Sequence, residues 1–261
     1  MTFHAHPDDE AIATGGTMAR AAAAGHRVVL VVATRGEHGE YVDGFLEPGE
    51  ELGERRVAET MRAAEVLGVS RVEFLGFTDS GMDGTATNDA PDSFWQTPVD
   101  QGAARLAAIL DEEDAEVLTH YDDYGGYGHP DHIQVHRVGT RAAAVAARRP
   151  RIYQATIDRE HIRSLIRQMR DQVPPEELPP DAPTTEDFDA GVDPSLITTR
   201  VDVSRFIEQK RAAMAAHASQ IPPESFFLAM PDELFALAFG TEWYIREGDP
   251  HPATDHWLFA D

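Results

Sequence analysis

The chain has no cysteine, so neither a disulfide nor a thiolate-bound metal can form. Any metal it holds must sit on histidine and carboxylate. Lysine is almost absent as well: Lys210 is the single one, and the other basic side chains are arginines. Basic residues number 22 against 46 acidic ones, for a formal charge of −24. So acidic a surface repels phosphate, which argues against nucleic acid and against an anionic membrane as partners. No apolar run is long enough to span a bilayer, and no basic, apolar leader opens the chain, so a cytoplasmic location is expected. There is no G-x-G-x-x-G fingerprint around Gly15-Gly16, which speaks against a dinucleotide site. No internal repeat stands out.

What is present is an alternation of strand-like and helix-like runs over 261 residues, enough for one sizeable core or a core plus a smaller domain. Strands are predicted at 2–5, 27–34, 71–75, 116–120 and 151–156, and helices at 10–24, 52–67, 98–111 and 131–147. Val28 to Val32 is continuously apolar, the mark of a strand buried on both faces. The second helix should turn Val57, Met61, Ala64 and Leu67 inward and stop at Gly68. This pattern predicts an α/β fold: a Rossmann-like, doubly wound, mostly parallel sheet of order 3-2-1-4-5 with helices on both faces. Residues 1–158 would form the core and 159–261 a smaller C-terminal subdomain. The latter carries a helix at 159–172, a proline-rich acidic loop near 174–194, a strand at 196–203, a helix at 205–218 and aromatic-rich segments at 225–239 and 242–245. The loop reads as a solvated connection or as a lid. The opening strand is short for this fold, so the native start is expected upstream.

Two short motifs stand out. His6-Pro7-Asp8-Asp9 follows the first strand, and Tyr127-Gly128-His129-Pro130-Asp131-His132 follows the fourth. Imidazole and carboxylate are both ligands for zinc, and a spare carboxylate beside a metal can act as a base. Pro130 suits a first helical position, and His129 and His132, three apart, can point the same way. Strands one and four are neighbours in the predicted order, so both motifs would meet at the topological switch point. Each alone could be a polar loop; together they point to a metal centre.

His6-Pro7-Asp8-Asp9-Glu10 with His129-Pro130-Asp131-His132 resembles the PIG-L/LmbE-like superfamily of zinc-dependent N-acetylglucosaminyl deacetylases. The likeness extends through Thr34-Arg35-Gly36-Glu37, Gly53-Glu54-Arg55-Arg56, Asp79-Ser80-Gly81-Met82 and His217-Ala218-Ser219-Gln220, and is nearest to the branch handling mycothiol and its precursors. The resemblance implies one Zn2+ per chain on His6, Asp9 and His132, with Fe2+ as the alternative. It implies Asp8 as general base and His129 as the group that stabilises the oxyanion or assists the leaving amine, oriented and charged by Asp131. Tyr127 could donate to the oxyanion or simply line the cleft. Arg56 and Asp79 match positions that grip sugar hydroxyls, and both are expected at the rim of the site. Glu37 and Glu40 could line the cleft. His136 is expected to support the site from outside, and His4 to be structural. Lys210, His217 and Gln220 match the pattern without a role.

The implied reaction is hydrolysis of an N-acyl, most simply N-acetyl, group on a glucosamine-type sugar, a small-molecule substrate. Self-association stays open. A mycothiol S-conjugate amidase would use the same site on a bulkier substrate. A non-haem iron enzyme would use the same two histidines and one carboxylate. A non-catalytic sugar-binding relative would not need Asp8 and His129.

Overall fold

The computed structural model describes residues 1–42, 44–172, 184–185, 188–248 and 256–259. The proline-rich segment at 174–183 lies outside them. The elements run β1 (Thr2–His4), α1 (Asp9–Ala13), α2 (Gly15–Ala23), β2 (Val29–Val32), α3 (Leu52–Leu67), β3 (Arg71–Phe74), α4 (Val99–Glu112), β4 (Val117–Tyr121), α5 (Pro130–Val145) and β5 (Arg151–Thr156). There follow α6 (Arg159–Gln172), β6 (Thr199–Asp202), α7 (Ile207–Ala216), α8 (Asp232–Phe239) and β7 (Thr241–Arg246).

One seven-stranded sheet has the order β3-β2-β1-β4-β5-β7-β6. Its first five strands are parallel, in the predicted order; β7 pairs antiparallel with β5, and β6 antiparallel with β7. After residue 159, β6 and β7 thus extend the same sheet, while α7 packs on α2 and α3. The central strands β2 and β4 are buried along their whole length because helices cover both faces of the sheet. On one face Phe3, Val31, Leu118 and Ile152 pack with Leu106, Val135 and Val138 of α4 and α5. On the other, Met18, Ala63, Leu67, Met214 and Phe235 form a second core. Chain direction away from the sheet reverses between β1 and β4, so the loops after these strands border one crevice. No described helix is long and apolar enough to cross a membrane.

Two expectations are corrected. The predicted helix at 10–24 is broken at Thr14 (φ −136°), whose hydroxyl bonds the buried His4 Nε2 at 2.8 Å. The break opens a new helix N-terminus at Gly15-Gly16. There Gly16 N–H and Thr17 N–H each donate to the Glu242 carboxylate at 2.8 Å, the favoured place for a negative charge. A Cβ on Gly16 would lie 2.5 Å from Val203, which accounts for glycine. The inner face of α3 is also rotated from prediction: Ala64 and Leu67 are buried as expected, but Met61 is 52% exposed, and Arg56, Glu59 and Thr60 are buried in its stead. Polar residues occupy that face because it supports the site, which hid it from apolar periodicity. The helix stops at Gly68 as expected, in a left-handed cap (φ 73°) with Val69 N–H donating to Ala64 O and Gly68 N–H to Glu65 O.

Lys210 is 1% exposed and donates to Glu242 Oε1 at 2.5 Å, tying α7 and β7 to the start of α2. Breaking a buried pair on one side strands the other charge. Lys210→Met should therefore lower stability by about 3–5 kcal/mol, read by urea unfolding. A loss under about 1 kcal/mol would mean that the helix N-terminus alone satisfies Glu242.

Candidate metal centre and active site

The loop from β1 to α1 carries His6, Pro7 and Asp8, with Asp9 opening the helix. Asp8 has φ 104°, a backbone conformation unusual for a residue with a side chain. The Pro7–Asp8 peptide is gripped at both ends. Its carbonyl accepts from Arg56 Nη2 at 2.5 Å, and its N–H donates to Glu10 Oε2 at 3.0 Å. Asp9 turns back, and its Oδ2 accepts the backbone N–H of His6 at 2.9 Å.

The second motif arrives from β4 through a glycine-rich turn. Asp122 Oδ1 accepts from Tyr124 N–H and Gly126 N–H, and Gly125 and Gly128 take left-handed φ of 65° and 93°. At Gly125 a Cβ would lie 2.5 Å from the His132 side chain, so glycine lets the turn close against the helix that carries His132. His129 caps α5: its ring Nδ1 accepts from Asp131 N–H at 3.1 Å.

The two motifs meet. Asp9 Oδ2 lies 3.4 Å from His6 Nδ1 and 3.3 Å from His132 Nε2. The ring centroids of His6 and His132 are 5.3 Å apart and those of His6 and His129 4.6 Å. Donor atoms of His6, His129 and His132, and separately of His6, Asp79 and Asp131, lie within 4.8 Å of one another. The structure thus gathers histidines and carboxylates able to hold a metal. His132 Nε2 is buried without a hydrogen-bond partner, while its Nδ1 is 3.1 Å from the Gly125 carbonyl. A ring that donates through Nδ1 keeps a lone pair on Nε2, the form a metal needs. His6 Nε2, 3.1 Å from Asp131 Oδ2, can donate there and leave its Nδ1 facing Asp9.

The electrostatics fit a cation. Burial opposes charge on His6, yet hydrogen bonds to Asp131, Asp79 and Asp9 outweigh it and hold the imidazole well above its usual pKa. Burial likewise would raise Asp9, but His132 and His6 keep it well below the usual carboxylate range. Burial pushes the Asp8 carboxyl up to about 6, against the pull of Arg56 and with Asp9 adding to the rise. Burial, with His6 and His132 alongside, brings His129 down to about 4. His129 is therefore neutral near pH 7, and with Nδ1 accepting, its proton lies on Nε2.

The other expected residues are placed as follows. The Asp131 carboxylate does not touch the His129 ring; it accepts from Ser80 Oγ, from Ser80 N–H at 2.9 Å and from His6. Its contact with His129 runs through its backbone N–H, because at the first turn of α5 the carboxylate points across to the loop after β3. Arg56 and Asp79 are each 4% exposed rather than at an open rim. Arg56 Nη1 donates to Gly36 O at 2.8 Å, and Nη2 is 3.5 Å from Asp8 Oδ2. Asp79 accepts from Gly81 N–H at 2.8 Å and His38 N–H at 3.0 Å, and is 3.5 Å from His6 Nε2. Tyr127 is 46% exposed, its ring 4.9 Å from that of His132 and 6.3 Å from that of His129. Glu37 accepts from Asp79 N–H, and the Glu40 carbonyl accepts from Gln220 Nε2. His136, half-buried, contacts the Tyr121 carbonyl, and His4 is buried among Thr2, Thr14 and Tyr121.

Sequence reasoning missed Tyr121, and gave Ser80 and Glu10 no role beyond the motifs that contain them. Tyr121 stacks on the His132 ring at 4.4 Å and receives the Ala5 N–H, so it floors the centre. It ends an apolar strand and carries no motif; its only signal was its position at the C-terminal end of β4.

The family model for GlcNAc-PI de-N-acetylases, PIG-L, matches residues 1–143. A Thermobifida fusca (strain YX) protein named 1D-myo-inositol 2-acetamido-2-deoxy-alpha-D-glucopyranoside deacetylase is 41% identical over 97% of this chain and 93% of its own length. A protein of the same name from Acidothermus cellulolyticus is 40% identical over 98% and 91%. Among solved structures, N,N'-diacetylchitobiose deacetylase from Pyrococcus horikoshii shares the fold with a TM-score of 0.56 at 20% identity, over 94% of this chain and 82% of that one. By its two motifs, its sheet and these matches, the chain belongs to the PIG-L family.

Proposed function

We propose that this chain is a zinc-dependent deacetylase that removes the N-acetyl group from a glucosamine ring joined to inositol, a mycothiol precursor, in the cytoplasm. The observation that carries the reading is the unpartnered, buried His132 Nε2 lying 3.3 Å from Asp9 Oδ2, which also faces His6 Nδ1. His6, Asp9 and His132 would hold the metal, because this choice leaves each imidazole's second nitrogen bonded, to Asp131 and to Gly125 O. Two histidines and a carboxylate suit zinc with a position left for water, and iron(II) accepts the same set. A metal there supplies Lewis acidity, polarising the amide carbonyl and acidifying water.

The protein's own groups do the rest. Asp8 accepts a proton as water adds to the amide carbon, and a carboxyl near 6 gives it up again to the amine as the C–N bond breaks. Neutral His129 offers its Nε2–H, and Tyr127 its hydroxyl, to the oxygen that becomes negative. Asp131 steadies His6 through its carboxylate and fixes the His129 ring through its backbone N–H. Arg56 and Asp79 would shape the sugar site through the loops they hold. A second reading, a mycothiol S-conjugate amidase, draws support from exposed Tyr41, Met82 and Tyr124 on loops after β2, β3 and β4, apolar surface that suits a bulkier substrate.

Protein purified without chelator should carry one zinc per chain by elemental analysis. His132→Ala should empty the site while keeping the fold, and Asp8→Ala should keep the metal and lose roughly 10²–10⁴-fold in kcat. Full metal content in His132→Ala would overturn the ligand set. Iron with substrate-dependent oxygen uptake would overturn hydrolysis.

A panel of N-acetylglucosaminyl-inositol, a mycothiol S-conjugate, N-acetylglucosamine and a simple acylated amine decides the substrate class by kcat/KM. On that panel Arg56→Ala should lose a similar factor on every member, because its guanidinium grips Pro7 O beside the base. A loss confined to the sugars would instead place Arg56 directly on the substrate.

A further inference from the structure

We propose that the buried His217–Glu10 pair clamps the Pro7–Asp8 peptide and thereby sets the backbone angle that presents Asp8, so that both are positioning residues for the reaction. The proposal rests on the reading of Asp8 as general base. A peptide has two polar ends, and fixing both fixes its plane. Here Arg56 takes the Pro7 carbonyl and Glu10 Oε2 takes the Asp8 N–H. With the plane fixed and the Asp8 carbonyl already accepting from Ala11 N–H and Ile12 N–H of α1, Asp8 is held at φ 104°. Release of either end would let the peptide rotate toward an ordinary conformation and carry the Asp8 carboxylate away.

Glu10 can serve as one jaw only if it is itself immobile. Its other oxygen, Oε1, lies 2.6 Å from His217 Nε2, and both residues are fully buried. His217 is fixed in turn by a tight turn after α7, where its carbonyl accepts from Gln220 N–H and Ile221 N–H. The next residues fasten that turn to the site: Ser219 N–H and Oγ donate to Glu59, and Gln220 Nε2 to Glu40 O. Glu59 sits on α3 one turn from Arg56, so both jaws are referenced to one helix. His217 lies outside the 1–143 stretch that the family model matches. This assigns the His217-Ala218-Ser219-Gln220 motif a task that its sequence alone did not.

The test is a double-mutant cycle on the metal-loaded enzyme, with metal content measured for each variant. His217→Ala should lower kcat about 10–100-fold, the scale of a displaced catalytic group, at unchanged KM and metal content. His217→Gln, whose amide can still donate to Glu10, should restore most of the rate. In an Asp8→Ala background, His217→Ala should cost nothing more. The same loss in both backgrounds, or a fall in metal that accounts for it, would overturn the clamp alone. An Asp8→Ala enzyme with full kcat would overturn the base assignment and the clamp with it. His217→Asn, too short to reach Glu10, replaces the alanine variant if that one does not fold, with the same outcomes.

Discussion

Three buried carboxylates converge on one imidazole. Asp9, Asp79 and Asp131 all lie within 3.5 Å of a His6 ring nitrogen. So much negative charge out of water is unfavourable unless positive charge or N–H donors answer it. Each carboxylate has such donors: His6 N–H on Asp9, Gly81 and His38 N–H on Asp79, and Ser80 N–H and hydroxyl on Asp131. What remains is a focus of negative potential at the C-terminal ends of β1 and β4, where a divalent cation or a protonated His6 would be stabilised. The loops after β1, β2, β3 and β4 are bent as they are to bring those donors to that point.

The fold was legible where the chain is apolar and periodic. Buried runs such as Val29–Val32, separated by helices, specified five parallel strands and their order, and with the order came the meeting of His6 with His132 across the β1–β4 crevice. Two things hid from the same signals. The break at Thr14 is invisible in an alanine-rich run, because it is made by His4 and by a carboxylate from β7. The polar inner face of α3 reads as an exposed one until its partners, Pro7 O, Gly36 O and Ser219, are in place.

The site was legible as a set of residues but not as a set of contacts. Residue spacing could bring Asp131 near His129, since they are two apart. It could not show that the side chain would find Ser80, 51 residues away in sequence, and His6, 125 away. A helix-capping His129 uses its Nδ1 on the backbone, which removes the need for a carboxylate to fix the tautomer. Asp131 is then free to bond the His6 ring instead. Motif membership was thus preserved while the internal wiring differed.

The same logic bears on Arg56. A guanidinium that recognised only a neutral sugar hydroxyl would have no reason to be 4% exposed with its two terminal nitrogens on backbone carbonyls. Its burial is explained if the charge is needed where it stands, 3.5 Å from Asp8 and on the carbonyl of the preceding peptide. There it does two things at once. It tempers the rise that burial imposes on Asp8, leaving a carboxyl near 6 that can both take and return a proton. It also holds the Gly36 loop against the β1 loop, with glycine required because a Cβ would fall 2.2 Å from Nη1. The anchoring of two loops and the charge balance at Asp8 therefore share one side chain, and they cannot be altered independently at this position.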